Sequence, residues 1–247
     1  MLTCWEEAEW ASDAIGPCAL NEGVEFADAI DRVDIDDEHP RNATAEGDIS
    51  EADAQALIAA LAGSWSRRTG RRTDTYTFEG TTLTRTRVEE GRDGEDDETT
   101  TETFRFEVIG PHGLRVTSDE SDRSEDYSLY VDAENDRIYF TDQGSRFVHP
   151  RSDDRPDFFR DADAMVVAID LDTDAPKCQM VGEDGSRVEG AGCTYEDDDG
   201  ERLLVLSGTT GQDWDGDDGR SVDDDFVVFE DAIVPWWTFG WHTRADG

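Results

Sequence analysis

Between Tyr76 and Phe140, apolar and aromatic residues recur at every second position in short runs, with turn residues between them. Phe104, Phe106 and Val108 alternate with Arg105 and Glu107, and Tyr127, Leu129 and Val131 alternate with Ser128 and Tyr130. A period of two places successive side chains on opposite faces of a strand, so one face of each run is buried and the other is wet. Glu79-Gly80, Pro111-His112-Gly113 and Glu134-Asn135-Asp136 each separate two such runs, and the acidic stretch Glu90 to Asp97 reads as a longer solvated loop. Strands joined this closely pair as antiparallel hairpins. The expected fold class is mainly β: an antiparallel barrel, or a strongly bent sheet or sandwich, with short N-terminal helices.

The clearest helix precedes these strands. Ser50-Glu51-Ala52-Asp53 has the form of a capping box, with Asp where Glu is more usual. Ala54, Leu57, Ile58 and Leu61 then share one face, and Gly63 supplies a residue suited to positive φ at the helix end. Further upstream, Cys4, Trp5, Ala8, Ala11 and Ile15 are spaced as on a helix stopped by Gly16-Pro17, and Val24 to Val33 forms a second, weaker segment. These observations divide the chain into a stapled helical appendage over residues 1–47 and a β domain over 48–247. In the second half, Asp157 to Asp161 reads as a helical turn and Met165 to Leu171 as a strand. Lys177 to Val181 and Gly190 to Tyr195 read as a hairpin. Leu203 to Leu206 and Phe226 to Phe229 read as strands buried on both faces.

Gly63-Ser64-Trp65, delivered by a short helix into successive hairpins, resembles the start of a lipocalin or wider calycin barrel. The resemblance covers residues 50–141 best. It implies that Trp65 closes one barrel end and stacks against an arginine near the last strand, for which Arg244 is the matching residue. The family's Thr-Asp-Tyr turn is missing. The resemblance further implies that Tyr76, Phe78, Phe104, Phe106 and Leu129 line an apolar cavity for a small ligand. The competing reading is that these side chains simply fill the interior.

Charge sets the environment. The chain carries 62 acidic residues against 22 basic ones, for a net charge of −40, and Lys177 is its single lysine. Such a charge destabilises a compact state by self-repulsion, which molar salt screens to within about 3 Å. We read the acidity as adaptation to high salt; an acidic protein with an arginine codon bias is the alternative. Binding to nucleic acid or to an anionic membrane surface is disfavoured either way, and no run is long and apolar enough for a transmembrane helix.

Four cysteines fall into two local pairs, Cys4 with Cys18 and Cys178 with Cys193, with no Cys-x-x-Cys and no nearby histidine. Local disulfides fit better than zinc, and four reduced, buried thiols remain the alternative. Two disulfides imply an extracytoplasmic location, secreted or at the cell surface, with the signal segment absent from this chain. Asp213, Asp215 and Asp217 place carboxylates at alternate positions, as calcium loops do, and make Ca2+ the one candidate cofactor. The sixth and twelfth loop positions, Asp218 and Asp224, depart from the EF-hand pattern, and in a chain this acidic a solvated acidic loop is the favoured reading of the run. His39, His112, His149 and His242 are isolated, and neither a nucleophile elbow nor a phosphate loop is found. The function expected is a non-enzymatic binding module holding a small apolar ligand. A structural or interaction protein of the cell envelope comes next, and a hydrolase last.

Overall fold

The computed structural model describes residues 47–92, 96–119, 121, 123–142, 147–151, 157–160, 166–171, 175–181, 189–198, 200–209, 221–236 and 240–245. The expected N-terminal helices and the Asp213–Asp217 run lie outside these residues, as does the 1–47 appendage apart from Gly47. Cys4 and Cys18 lie outside them too, so the bridge expected between Cys4 and Cys18 is not among the described contacts. Of the two disulfides expected, the one between Cys178 and Cys193 is present among the described residues. The strands of the expected 48–247 domain cluster into two compact units. One is formed by Thr44–Val148 with Trp237–Gly247, the other by His149–Trp236.

The first unit begins with the capped helix α1 (Glu51–Leu61). The Ser50 hydroxyl oxygen accepts from the Asp53 backbone N–H at 3.1 Å and donates to Asp53 Oδ2 at 2.6 Å. The aspartate therefore closes the box on the serine hydroxyl, where a longer glutamate would reach the backbone N–H. Leu61 is fully buried, while Leu57 and Ile58 pack partly buried against the same core. The chain leaves the helix through Gly63 at φ +117°, where a Cβ would approach Arg244 Nη1 to 2.9 Å. Only glycine meets both demands.

Strands β1 (Gly63–Thr69), β2 (Arg72–Glu79), β3 (Thr82–Glu89), β4 (Glu98–Gly110), β5 (Gly113–Ser118), β6 (Ser124–Asp132) and β7 (Arg137–Asp142) follow as an antiparallel meander. Their bounds track the alternation in the sequence closely. Gly70 and Gly80, at φ +61° and +59°, turn the first two hairpins with two-residue loops. At the β6–β7 turn the Asp132 carboxylate accepts from the Asn135 backbone N–H, from Asn135 Nδ2 and from Arg137 Nε. Burial opposes its ionisation, but these hydrogen bonds win and hold its carboxyl below the usual range.

The meander closes through the last strand of the chain. This strand, β16 (Trp241–Arg244), pairs with β1 on one side and β7 on the other, completing an eight-stranded antiparallel barrel. Closure leaves no free edge to pair with another chain. The interior holds Leu61, Trp65, Phe78, Leu83, Phe106, Leu114, Val116, Leu129, Ile138 and Phe140. Of the expected architectures, the closed barrel is the one formed.

The second unit carries β8 (His149–Pro150), β9 (Asp157–Arg160), β10 (Val166–Asp170), β11 (Lys177–Val181), β12 (Glu189–Asp198), β13 (Glu201–Thr209), β14 (Ser221–Val228) and β15 (Ala232–Pro235). They form a three-stranded sheet, β11-β10-β9, and a five-stranded one, β12-β13-β14-β15-β8. Two sequence expectations need correction here. Asp157–Arg160 is a strand, not a helical turn, because it pairs with β10 from Val166 to Ile169. Nor do β11 and β12 form a hairpin: each is an edge strand of a different sheet.

The Cys178–Cys193 disulfide forms as expected, and it joins those two edges. Leu171, Met180, Leu204, Leu206, Phe226 and Ile233 make the buried core of this unit, with both cysteines packed against it. The cysteines are 15 residues apart, so the bridge contributes about 3 kcal/mol on the chain-entropy model. We expect the Cys178→Ser, Cys193→Ser double variant to unfold at lower urea by that margin. An unchanged midpoint would show that the sheets hold together without it.

Candidate functional site

Alternation along β1, β2, β3 and β16 sorts the barrel interior into two parts. At the α1 end it is apolar and closed. Trp65 on β1 is 1% exposed, and its Nε1 donates to Leu61 O at 2.7 Å. The Arg244 guanidinium carbon lies 4.0 Å from the centroid of the Trp65 ring. Arg244 Nη1 donates to Ala62 O at 3.1 Å, and its Nε donates to Asp136 Oδ1 at 2.7 Å. One arginine thus ties the helix end, the first strand, the last strand and the β6–β7 turn.

The five residues named as cavity lining all belong to this core cluster. Phe78, Phe106 and Leu129 are buried, and Tyr76 and Phe104 are partly buried against them. Phe78 meets Phe106 and Phe140 edge-to-face at 5.5 and 5.8 Å, and Tyr127 stacks on Phe140 at 4.6 Å. Tyr76 is the transition point. Its ring meets Phe140 at 5.1 Å and His242 at 5.0 Å, with the Arg85 guanidinium carbon 5.8 Å from its centroid.

Beyond Tyr76 the inward positions become charged. Arg67 sits two residues past Trp65 on β1, Asp74 two before Tyr76 on β2, and Arg85 and Arg87 two and four past Leu83 on β3. Register places Arg67 opposite Asp74, and Asp74 opposite Arg87. The Asp74 side chain is 3% exposed and accepts from Arg72 Nε at 2.6 Å, Arg87 Nε at 3.0 Å and Arg85 Nη2 at 3.4 Å. Arg85 also lies 3.8 Å from Glu102, which is half exposed.

Several polar atoms in this layer have no partner. Arg67 Nε and Nη1 and Arg85 Nε are buried without a hydrogen-bond partner, and so is His242 Nε2. Burial lowers the Arg67 pKa, with Asp74 partly offsetting the loss. Burial also lowers His242, to about 4, reinforced by the Arg67 charge. It raises Tyr76, against the pull of Arg85. Buried polar groups in folded proteins are nearly all paired, so a cluster of unpaired ones on one interior surface makes this layer the candidate site.

Sequence reasoning named the aromatics, set His242 aside as an isolated histidine, and missed Arg67, Asp74 and Arg85. The signal was present. Continuing the alternation from Trp65, Phe78 and Leu83 puts charged residues at positions reserved for the core. Of the other sequence candidates, Asp213, Asp215 and Asp217 lie outside the described residues, and so do Cys4 and Cys18. Cys178 and Cys193 are placed in the second unit, where their role is structural. Among the described residues no cluster of His, Cys, Asp or Glu is arranged to hold a metal ion, and no helix is long and apolar enough to cross a membrane. Trp241 packs edge-to-face on Tyr139 at 5.5 Å, with the Arg137 guanidinium carbon 4.1 Å from its ring. The chain matches no protein-family model, no curated protein and no solved structure.

Proposed function

We propose that the barrel is a lipocalin-like, non-enzymatic binding module for a small molecule with an apolar body, working outside the cytoplasm in high salt. The observation that carries this reading is the divided interior: aromatic toward α1, charged beyond Tyr76, with buried donors left unpaired. A barrel built only to be stable gains from an apolar interior throughout, since each unpaired buried group costs about 1–3 kcal/mol. The stack of Arg244 on Trp65 and its bond to Ala62 O support the lipocalin-like reading of the closed end. The Cys178–Cys193 bridge and the arginine-biased acidity support an oxidising, saline location.

Native mass spectrometry of the protein from its own source tests the binding reading. A bound mass of a few hundred daltons, lost on denaturation, is expected. A clean apo mass favours the second reading, an envelope protein with a filled core. That reading draws on the close ring packing of Phe78, Phe106, Tyr127 and Phe140.

The salt reading has its own test. With a net charge of −40, the thermal midpoint should climb steadily from low to molar potassium chloride as repulsion is screened. A flat response would remove the salt-adaptation reading and leave an ordinary acidic protein whose arginines replace lysines by codon bias.

A further inference from the structure

The outer face of the barrel over β1 to β4 has a composition unlike the rest of the chain. Residues between the inward ones point outward, and register aligns them in rows across the strands. Thr243, Ser66, Thr75, Thr86 and Thr101 form one row. Ser64, Thr77, Thr84 and Thr103 form the next, and Arg68, Thr73, Val88 and Thr99 flank the first on its other side. Eleven of these thirteen positions carry a hydroxyl, and none carries a carboxylate. Acids make up 62 of the 247 residues, so a carboxylate-free face of this size stands apart. They resume at its rim, where Glu79 lies opposite Thr82, Asp119 pairs with Arg105 and Glu90 with Arg68.

Two properties of this face say what fits it. The first is electrostatic. Two copies that each carry a net charge of −40 repel, and they meet at least cost where neither presents a carboxylate. The second is hydrogen bonding. A hydroxyl both donates and accepts, and Ser64 Oγ and Thr77 Oγ1 already pair in this way at 2.8 Å. Among the described residues, Thr75, Thr84, Thr86, Thr101 and Thr103 make no side-chain hydrogen bond. Thr99, Thr101 and Thr103 on β4 and Thr243 on β16 are exposed. A face of hydroxyls and methyls is therefore complementary to itself, which is what a two-fold contact requires. A face of carboxylates is not.

We propose that this hydroxyl face is the contact between two copies of the chain, packed sheet on sheet about a two-fold axis. The closed barrel offers no strand edge, so the copies meet by face. Thirteen positions are about half of the roughly 20–30 residues a side that a standard interface uses. The dimer is accordingly weak, with a micromolar dissociation constant. Its response to salt is distinctive. A contact built on ion pairs loosens as salt rises, whereas this one tightens, because salt screens only the repulsion around it. The proposal is independent of whether the interior holds a ligand.

Sedimentation equilibrium of the full chain, at up to about 100 µM and from low to molar potassium chloride, tests the proposal. A monomer–dimer equilibrium is expected, with a dissociation constant that falls as salt rises. The Thr101→Glu, Thr103→Glu double variant places like charges across the two-fold and should weaken association at least about tenfold. Ser124→Glu adds a carboxylate to exposed β6, outside the face, and should leave association unchanged. If the double variant fails to fold, Thr243→Glu tests the same row from β16. A wild type that stays monomeric throughout would overturn the proposal. So would a dimer indifferent to the glutamates on the face, or one weakened as much by Ser124→Glu, or one that dissociates as salt rises.

Discussion

Replacing Trp65 with alanine is expected to cost the barrel about 4 kcal/mol, the largest loss we foresee from a single side chain. The indole is 1% exposed and sits in the core with Leu61, Phe78 and Leu83. Its removal leaves a large void at the closed end, and collapse there is limited because α1 and β1 are already tied by backbone. Two specific interactions go with it. Leu61 O loses the Nε1 donor, and Arg244 loses the ring face beneath its guanidinium. Trp65→Phe should recover part of the packing while still leaving Leu61 O unbonded, and so fall between the two. Urea denaturation followed by far-ultraviolet circular dichroism checks this. A Trp65→Ala loss below about 1 kcal/mol would mean that this end is not a structural lock.

The second large effect is on acid stability, through His242. Its folded-state pKa is lowered from 6.5 to about 4, first by burial and then by the Arg67 charge. A lowered histidine pKa means that the unfolded chain binds more protons than the folded one between those values. The neutral ring therefore supports the fold fully above about pH 6.5, and that support drains away as pH falls toward 4. The expected amplitude is on the order of 3 kcal/mol. Aspartates such as Asp132 add acid sensitivity of their own, so the informative quantity is a difference. The stability gap between the wild type and His242→Gln should shift by about that amount from pH 7 to pH 4, in favour of the variant as pH falls. A gap independent of pH would mean that His242 is not buried neutral in the folded protein.

Both experiments probe one interior from opposite ends, and they separate its two demands. Trp65 sits where burial and hydrogen bonding agree, and the exposed Arg244 caps its ring and bonds Ala62 O, so substitution of either should only destabilise. Arg67 and His242 sit where burial and polarity conflict, and the binding role proposed above would give a physical reason to keep them. Arg67→Met, which removes a half-buried guanidinium whose Nε and Nη1 have no hydrogen-bond partner, should leave the barrel as stable as the wild type or more so.

Local physics was legible in the sequence alone. Alternation at Phe104, Phe106 and Val108 and at Tyr127, Leu129 and Val131 gave strand positions, because burial on one face of a strand is a property of neighbouring residues. Ser50 announced the helix start and Gly63 its end for the same reason: caps depend on a few adjacent backbone groups. The net charge of −40 and the spacing of Cys178 and Cys193 were likewise there to be read. Tertiary structure decided what depends on distant partners. Asp157–Arg160 became a strand because β10 was available to pair with it, and β11 and β12 joined different sheets although few residues separate them. The barrel closed through Trp241–Arg244, nearly a hundred residues after β7, because that strand satisfies both open edges at once. Only that closure brings His242 into one layer with Arg67, Asp74 and Arg85, and no local pattern in the chain encodes their meeting.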